Sequence, residues 1–290
     1  MLNRQKTILF LLKRAGGSAS RLLLTKWAFL LAHETASQGG NAFYQFVPYH
    51  YGPYSFSLAR EISTLVREGF IEEPTGHTWN LTRAGFRTGY VLPISIERDA
   101  ADIIRKYGNV PLESLLASIY ARYPWFTVNS KEKQKRVQAR PVATPAIHTM
   151  GYQGLMVDGF LDRLVRSGIQ CLVDVRNNPV SRRYGFHKST LSRLCAYLGI
   201  EYRHFPELGV PAESRTCLHV PSDYQALFDR YRRDMLPLQT ATVQKAAKIV
   251  ATLPSVLVCM EADPECCHRS HLATALAKLT GLPIKHLAIP

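Results

Sequence analysis

No apolar run in this 290-residue chain is long enough to cross a membrane. The longest, residues 8–12 and 27–32, fall far short of the ~18 residues a spanning helix needs. Nor does the amino terminus read as a secretion signal. Arg4 and Lys6 precede an apolar stretch, but Lys13 and Arg14 interrupt it and no small-residue cleavage site follows. The expected location is the cytoplasm, with no membrane partner. Cysteine is missing from the first half: all 6 cysteines lie beyond residue 170. A secreted disulfide framework does not fit that distribution, and reduced thiols do. Cys171 and Cys259 sit in strand-like runs and Cys195 on an apolar helix face, so these three read as packing residues. There is no C-x-x-C pair, so no metal site is expected and no cofactor is called for. Internal repeats are also absent.

Acidic residues are scarce, 22 against 36 Lys and Arg, which leaves a net charge of +14. Basic side chains that meet phosphates gain from counterion release, so a polyanion is the natural partner. The excess is +5 over residues 1–90, +4 over 91–140 and +5 over 141–290. No single tail carries it. A generally basic protein without such a partner would show the same totals. At this length two domains are the prior expectation.

Helical apolar spacing runs over residues 2–14 and stops at Gly16-Gly17. Ser18 or Ser20 can cap a second helix reaching about residue 36, with Leu23, Leu24, Trp27, Leu30 and Leu31 on its buried side. An aromatic loop (43–54) with Pro48, Gly52 and Pro53 follows. Ser55 or Ser57 then opens a third helix over residues 58–68, stopped by Gly69. Residues 70–82 read as two short strands joined by Pro74-Thr75-Gly76. Three helices followed by a hairpin is the order of a winged helix-turn-helix. With residues 46–55, "LVREGFIEE" and "LTRAG", it resembles uncharacterised bacterial winged-helix domains over about residues 1–125. That resemblance implies a recognition helix presenting Arg60, Ser63, Thr64 and Arg67 to duplex DNA, with His77 or Arg83 near phosphates. A domain that only mediates protein contacts is the alternative. Two more helices, 96–106 and 112–123, would pack on this domain or form a dimer arm, and a homodimer is expected. Residues 129–141 are polar and basic, which puts domain boundaries at 1–126, a linker at 127–144 and a second domain at 145–290.

The second half alternates short apolar runs with helical patterns: strands near 146–149, 170–175, 200–205, 256–258 and 284–287, with helices between. This implies an α/β fold with a mostly parallel sheet and helices on both faces. Three polar loops leave the strand ends, at 151–154, 174–188 and 261–269, and in such folds ligands bind there. The last loop carries Glu261, Cys266, Cys267, His268 and Arg269 at the start of a helix, whose free N–H groups suit an anion. "IHTMGYQG", "LVDVRNNPVSRRYGFHKSTL", "GIEYRHFPELG" and "VCMEADPECCHRSHLA" resemble, in order, the motifs of the DUF488 family over about residues 145–288. The resemblance implies a Rossmann-like domain but supplies no reaction. Its motif positions fall on Gly151, Tyr152, Gly154, Asp174, Arg176, Pro179, Ser181, Arg182, Gly185, Phe186, Lys188, Glu261, Cys267, His268 and Arg269. The family does not call for a thiol at Cys266.

Three chemistries compete. Cys267 at a helix N-terminus beside His268 could be an activated nucleophile, although adjacent residues in a helix point in different directions. Cys267, His271 and His204 would be the ligands if a metal bound. Acid–base hydrolysis would use Glu261 or Asp174, helped by Cys267 or His268. Arg176, Arg182, Lys188 and Arg269, with Tyr152 and Ser181, would bind phosphate. Asp174–Arg176 and Glu261–Arg269 could instead be ion pairs that fix loops. The leading expectation is a DNA-binding protein whose α/β domain acts hydrolytically on a nucleic acid or nucleotide, at a glycosidic or phosphodiester bond. The alternatives are a regulator whose α/β domain senses a nucleotide or anion, and a protein–protein module of a genome-maintenance or defence system.

Overall fold

The computed structural model describes residues 1–88, 91–215 and 221–287. The chain divides into two compact units, Met1–Ala139 and Arg140–Pro290.

The first unit opens with α1 (Asn3–Arg14), a short strand β1 (Ser18–Ser20) and α2 (Arg21–Glu34). Of the two candidate caps, Ser20 serves α2: its hydroxyl accepts from the Leu23 N–H at 3.2 Å, while Ser18 lies in the strand. A hairpin follows, β2 (Val47–Tyr49) with β3 (Gly52–Tyr54), where the sequence suggested a loop. Gly52 turns it with φ +86°. Helix α3 (Phe56–Arg67) is capped by Ser55, which accepts from Leu58 N–H at 3.2 Å. Strands β4 (Ile71–Glu72) and β5 (Thr78–Leu81) pair antiparallel, and β1 adds to the outer side of β5 with Ala19 opposite Trp79. Three helices complete the unit: α4 (Arg83–Arg87), α5 (Ile94–Tyr107) and α6 (Leu112–Arg122). Their apolar faces close one core that includes Ile8, Leu24, Trp27, Phe29, Ile62, Leu65, Ile103 and Ile119. One cation lies inside it. Lys26 is 1% exposed and donates to the Pro53 carbonyl at 2.8 Å. The basic segment beyond α6 is tied down at its start, through Asn129 to the Pro48 carbonyl and Val137 N–H to the Thr127 hydroxyl.

The second unit is an α/β fold around five parallel strands. In chain order these are β6 (Ile147–Gly151), β7 (Cys171–Asp174), β8 (Glu201–His204), β9 (Ser255–Cys259) and β10 (Ile284–His286). They lie in the order β10-β6-β9-β7-β8, and every pairing is parallel. Strands β6, β7 and β9 are buried along their whole length, whereas β8 alternates between exposed and half-buried. Apolar runs therefore mark β7 and β9, which are covered on both faces, whereas β6 is equally buried but carries the polar His148 and Thr149. The sheet is flanked by α7 (Val157–Arg166), α8 (Lys188–Tyr197), α9 (Pro221–Arg230), α10 (Thr240–Thr252) and α11 (His268–Thr280). A π-helical turn, Tyr231–Met235, extends α9. Because β9 lies between β6 and β7, the carboxyl ends of these three strands stand side by side, where a ligand crevice forms in open parallel sheets.

Candidate active site

The loops leaving β6, β7 and β9 are bonded to one another. Tyr152 and Gln153 N–H groups donate to the Met260 carbonyl at 3.1 and 2.9 Å. Gly151 permits this approach: a Cβ there would lie 1.7 Å from the Glu261 carbonyl oxygen. No residue but glycine fits without moving the loop.

Asp174, fully buried at the end of β7, is bound up in a polar network. Arg176 grips it in bidentate fashion, Nε to Oδ1 at 2.8 Å and Nη2 to Oδ2 at 2.5 Å. The Tyr202 hydroxyl donates to Oδ2 at 2.6 Å. Arg176 Nη1 donates to the Tyr152 hydroxyl at 2.9 Å and the Phe186 carbonyl at 2.8 Å. The Tyr152 and Phe186 rings stack with centroids 4.1 Å apart. Burial works against the Arg176 charge, but the Asp174 bonds outweigh it and raise its pKa above the usual arginine value. Burial, and then the Asp174 charge, push the Tyr202 phenol up. Arg269, 1% exposed, directs its terminal nitrogens to the carbonyls of Glu261 and Ala262. Both arginines thus hold loops through protein acceptors. Of the other expected phosphate ligands, Arg182 and Lys188 are exposed, and the half-buried Ser181 accepts from Arg183 N–H at 3.1 Å.

A second cluster sits between β9 and α11. Glu261 Oε2 accepts from the Cys259 thiol and from the Cys267 thiol, each at 3.0 Å. His268 Nε2 bonds to the Val175 carbonyl at 3.0 Å, which makes it the protonated nitrogen, so Nδ1 faces the sulfurs of Cys259 and Cys267 at 3.8 and 4.0 Å. The ligand atoms of Cys259, Cys267 and His268 all lie within 4.8 Å of one another. Adjacency in sequence argued against a Cys267–His268 pair, but that argument assumed helical backbone at both. Cys267 is the N-cap of α11, with φ −142° and ψ 134°, and this extended geometry lets its side chain turn toward that of His268. Cys259, read from sequence as a packing residue, is both core and part of the cluster. The available signal was its spacing from Glu261, since residues two apart share a face of a strand. His204 and His271, the other metal candidates in the sequence, stand elsewhere: His204 Nε2 bonds to the Arg176 carbonyl at 2.8 Å, and the His271 ring packs on Phe228.

Burial raises the Glu261 carboxyl, but the two thiol bonds and the nearby His268 outweigh it and leave it below the usual carboxylate range. Burial pushes the Cys267 thiol well up. The carboxylate is therefore the ionised partner at neutral pH and the thiol is not. A cavity of about 270 Å³ opens over the strand ends, lined by Tyr152, Arg176, Asn177, Val210, Cys259 and Met260 among others. Beside it, at the edge of the sheet, a basic groove is lined by Lys188, Arg203, Lys245 and Lys248, with Tyr202, His204 and Phe205.

Residues 156–276 match the family model described as Domain of unknown function DUF488. The DUF488 match takes in the Asp174–Lys188 loop and the Glu261–Arg269 turn, whereas "IHTMGYQG" lies just ahead of it. No curated protein and no solved structure matches the chain.

In the first unit, Arg60, Ser63, Thr64 and Arg67 share one side of α3, opposite the buried Leu58, Ile62 and Leu65. Arg60, Ser63 and Arg67 are exposed and Thr64 is half-buried. His77, in the β4–β5 turn, and Arg83, at the start of α4, are exposed as well.

Proposed function

We propose that this chain is a DNA-binding protein in which a winged-helix unit delivers a DUF488-type, Rossmann-like domain to nucleic acid, where that domain hydrolyses a bond in the nucleic acid or in a nucleotide. The observation that carries the reading is the cavity at the ends of β6, β7 and β9, lined by Cys259, whose thiol bonds the ionised Glu261. Glu261 is ionised at neutral pH beside this cavity, the protonation state a general base needs to take a proton from water. Glu261 fills that role, with His268 and Cys267 beside it and the Asp174–Arg176 pair shaping the wall. The groove formed by Lys188, Arg203, Lys245 and Lys248 suits phosphates that extend beyond the cavity. In the first unit, β4 and β5, which follow α3 and pair with β1, would serve as the wing, and the open side of α3 would offer Arg60 and Arg67 to the DNA major groove.

The test uses the purified full chain with labelled duplex DNA, single-stranded DNA and a panel of nucleotides. Wild-type protein is expected to bind DNA and turn over one of these substrates. Glu261→Gln should abolish turnover and leave DNA affinity intact, and Arg67→Ala should weaken DNA binding and lower its salt dependence by about one counterion. Protein that binds neither form of DNA at moderate salt refutes the reading. The basic groove of Lys188, Arg203, Lys245 and Lys248, whose lining does not include Glu261, favours one alternative, a regulator whose domain senses a nucleotide or other anion without turnover. In that case ligand binding would survive in Glu261→Gln and no substrate would be consumed by either protein.

A further inference from the structure

We propose that Cys259, Cys267 and His268 form a binding site for a thiophilic divalent cation of the zinc class. Tetrahedral zinc, with bonds of about 2.3 Å to sulfur and about 2.0–2.1 Å to nitrogen, holds neighbouring donors roughly 3.5–3.8 Å apart. The imidazole Nδ1 lies 3.8 and 4.0 Å from the two sulfurs, and Glu261 Oε2 lies 3.0 Å from each. Shifts of a few tenths of an ångström bring the nitrogen–sulfur distances to those of a coordination sphere.

Three further features suit a cation. The Val175 carbonyl accepts from His268 Nε2, which leaves the Nδ1 lone pair pointing at the cluster. A ligating histidine is ordinarily oriented in this way, by a bond at its other nitrogen. The donors are shielded from water: Cys259 and Cys267 are 1% exposed and His268 is 3% exposed. The edge of the Tyr231 ring packs against His268, centroids 5.5 Å apart. Finally, the N-terminus of α11 favours the net negative charge of two thiolates and a carboxylate around a dication. When the cation binds, the two thiols give up their protons to solvent and the sulfurs that had donated hydrogen bonds to Oε2 bond the metal instead. Soft sulfur together with imidazole selects zinc or cobalt over magnesium or calcium.

The experiment is metal titration of the reduced, metal-stripped full chain, with zinc followed by competition against a chromophoric chelator and cobalt by absorbance. One zinc per chain is expected. Cobalt should give thiolate-to-metal charge-transfer absorption and strong visible bands of a tetrahedral site. Cys266→Ser, which removes the exposed thiol next to the cluster, should bind as wild type does. Cys259→Ser and Cys267→Ser should weaken zinc binding by at least about 100-fold, more than the loss of an outer-sphere partner costs. Absence of stoichiometric uptake, a six-coordinate cobalt spectrum, or equal losses from Cys266→Ser and Cys267→Ser would each overturn the proposal. If Cys267→Ser fails to fold, the cobalt spectrum of the wild-type protein decides alone. Uptake is measured without substrate, so failure here leaves the hydrolysis reading to its own test, and zinc binding without turnover sinks only that reading.

Discussion

Lys26 makes the first unit more stable at alkaline pH than at neutral pH. It is buried in the core, donates one hydrogen bond to the Pro53 carbonyl, and has no carboxylate partner among the described residues. Burial lowers its pKa from the ordinary 10.5 to about 7. The unfolded chain therefore keeps a proton that the folded protein gives up, and stability rises as pH climbs from about 7 towards 10.5. Each pH unit over which only the unfolded chain holds that proton is worth about 1.4 kcal/mol. The folded group is half neutralised already near pH 7, so the interval from pH 7 to pH 9 yields about 2 kcal/mol. Lys26→Met has similar volume and cannot titrate. It leaves the Pro53 carbonyl without its donor, at a cost of about 1–3 kcal/mol, but this cost is the same at both pH values and cancels in the comparison. All 3 tryptophans, Trp27, Trp79 and Trp125, fall in Met1–Ala139, so their fluorescence in a urea titration reports on this unit. Wild-type protein should gain about 2 kcal/mol more than Lys26→Met between pH 7 and pH 9. Parallel pH dependence of the two proteins would refute the reasoning.

The second unit offers two further tests. Asp174→Asn leaves the Arg176 guanidinium buried without its counter-charge and should destabilise that unit by about 3–5 kcal/mol, read from amide hydrogen exchange on β7 and β9. An exchange pattern equal to wild type would mean that Asp174 does not hold the loops. Gly151→Ala places a methyl group 1.7 Å from the Glu261 carbonyl, so the loop must move. Loss of the nucleotide or zinc response with secondary structure retained by circular dichroism is expected, and a fully functional variant would contradict the described packing.

Much of the fold was legible because burial leaves a period in the sequence. Helices α1, α2, α3, α5 and α6 all follow from apolar spacing and Gly or Ser punctuation. Strands β7 and β9 announce themselves as short apolar runs, as strands covered on both faces do. What escaped had no such period. Strand β1 is Ser18-Ala19-Ser20, too short and too polar to show alternation. The β2–β3 hairpin contains Pro48, Gly52 and Pro53, residues that ordinarily break strands. They are tolerated because this is a two-stranded ribbon with open edges, not a central pair. The strand order β10-β6-β9-β7-β8 is a property of long-range pairing and leaves no local trace.

The site was legible as a place but not as a set of bonds, and the reason is competition for acceptors. Arginine at the end of a buried strand suggests phosphate when only residue types are known. In the folded chain the nearest acceptors are the protein's own: Asp174, Tyr152 and Phe186 for Arg176, and the Glu261 and Ala262 carbonyls for Arg269. A guanidinium already bonded inside a buried network gains little by exchanging those partners for a ligand, and moving it would expose uncompensated groups. Lys188, Arg203, Lys245 and Lys248, by contrast, are exposed and line one groove. The opposite happens at β9 and α11, where residues that looked like packing or mismatched neighbours converge. Glu261, two residues beyond the end of β9, accepts from the Cys259 thiol, and the extended N-cap at Cys267 brings its thiol and the His268 imidazole together. The sulfur and nitrogen donors gather, buried, within 4.8 Å of one another, while the arginines around them hold the loops in place.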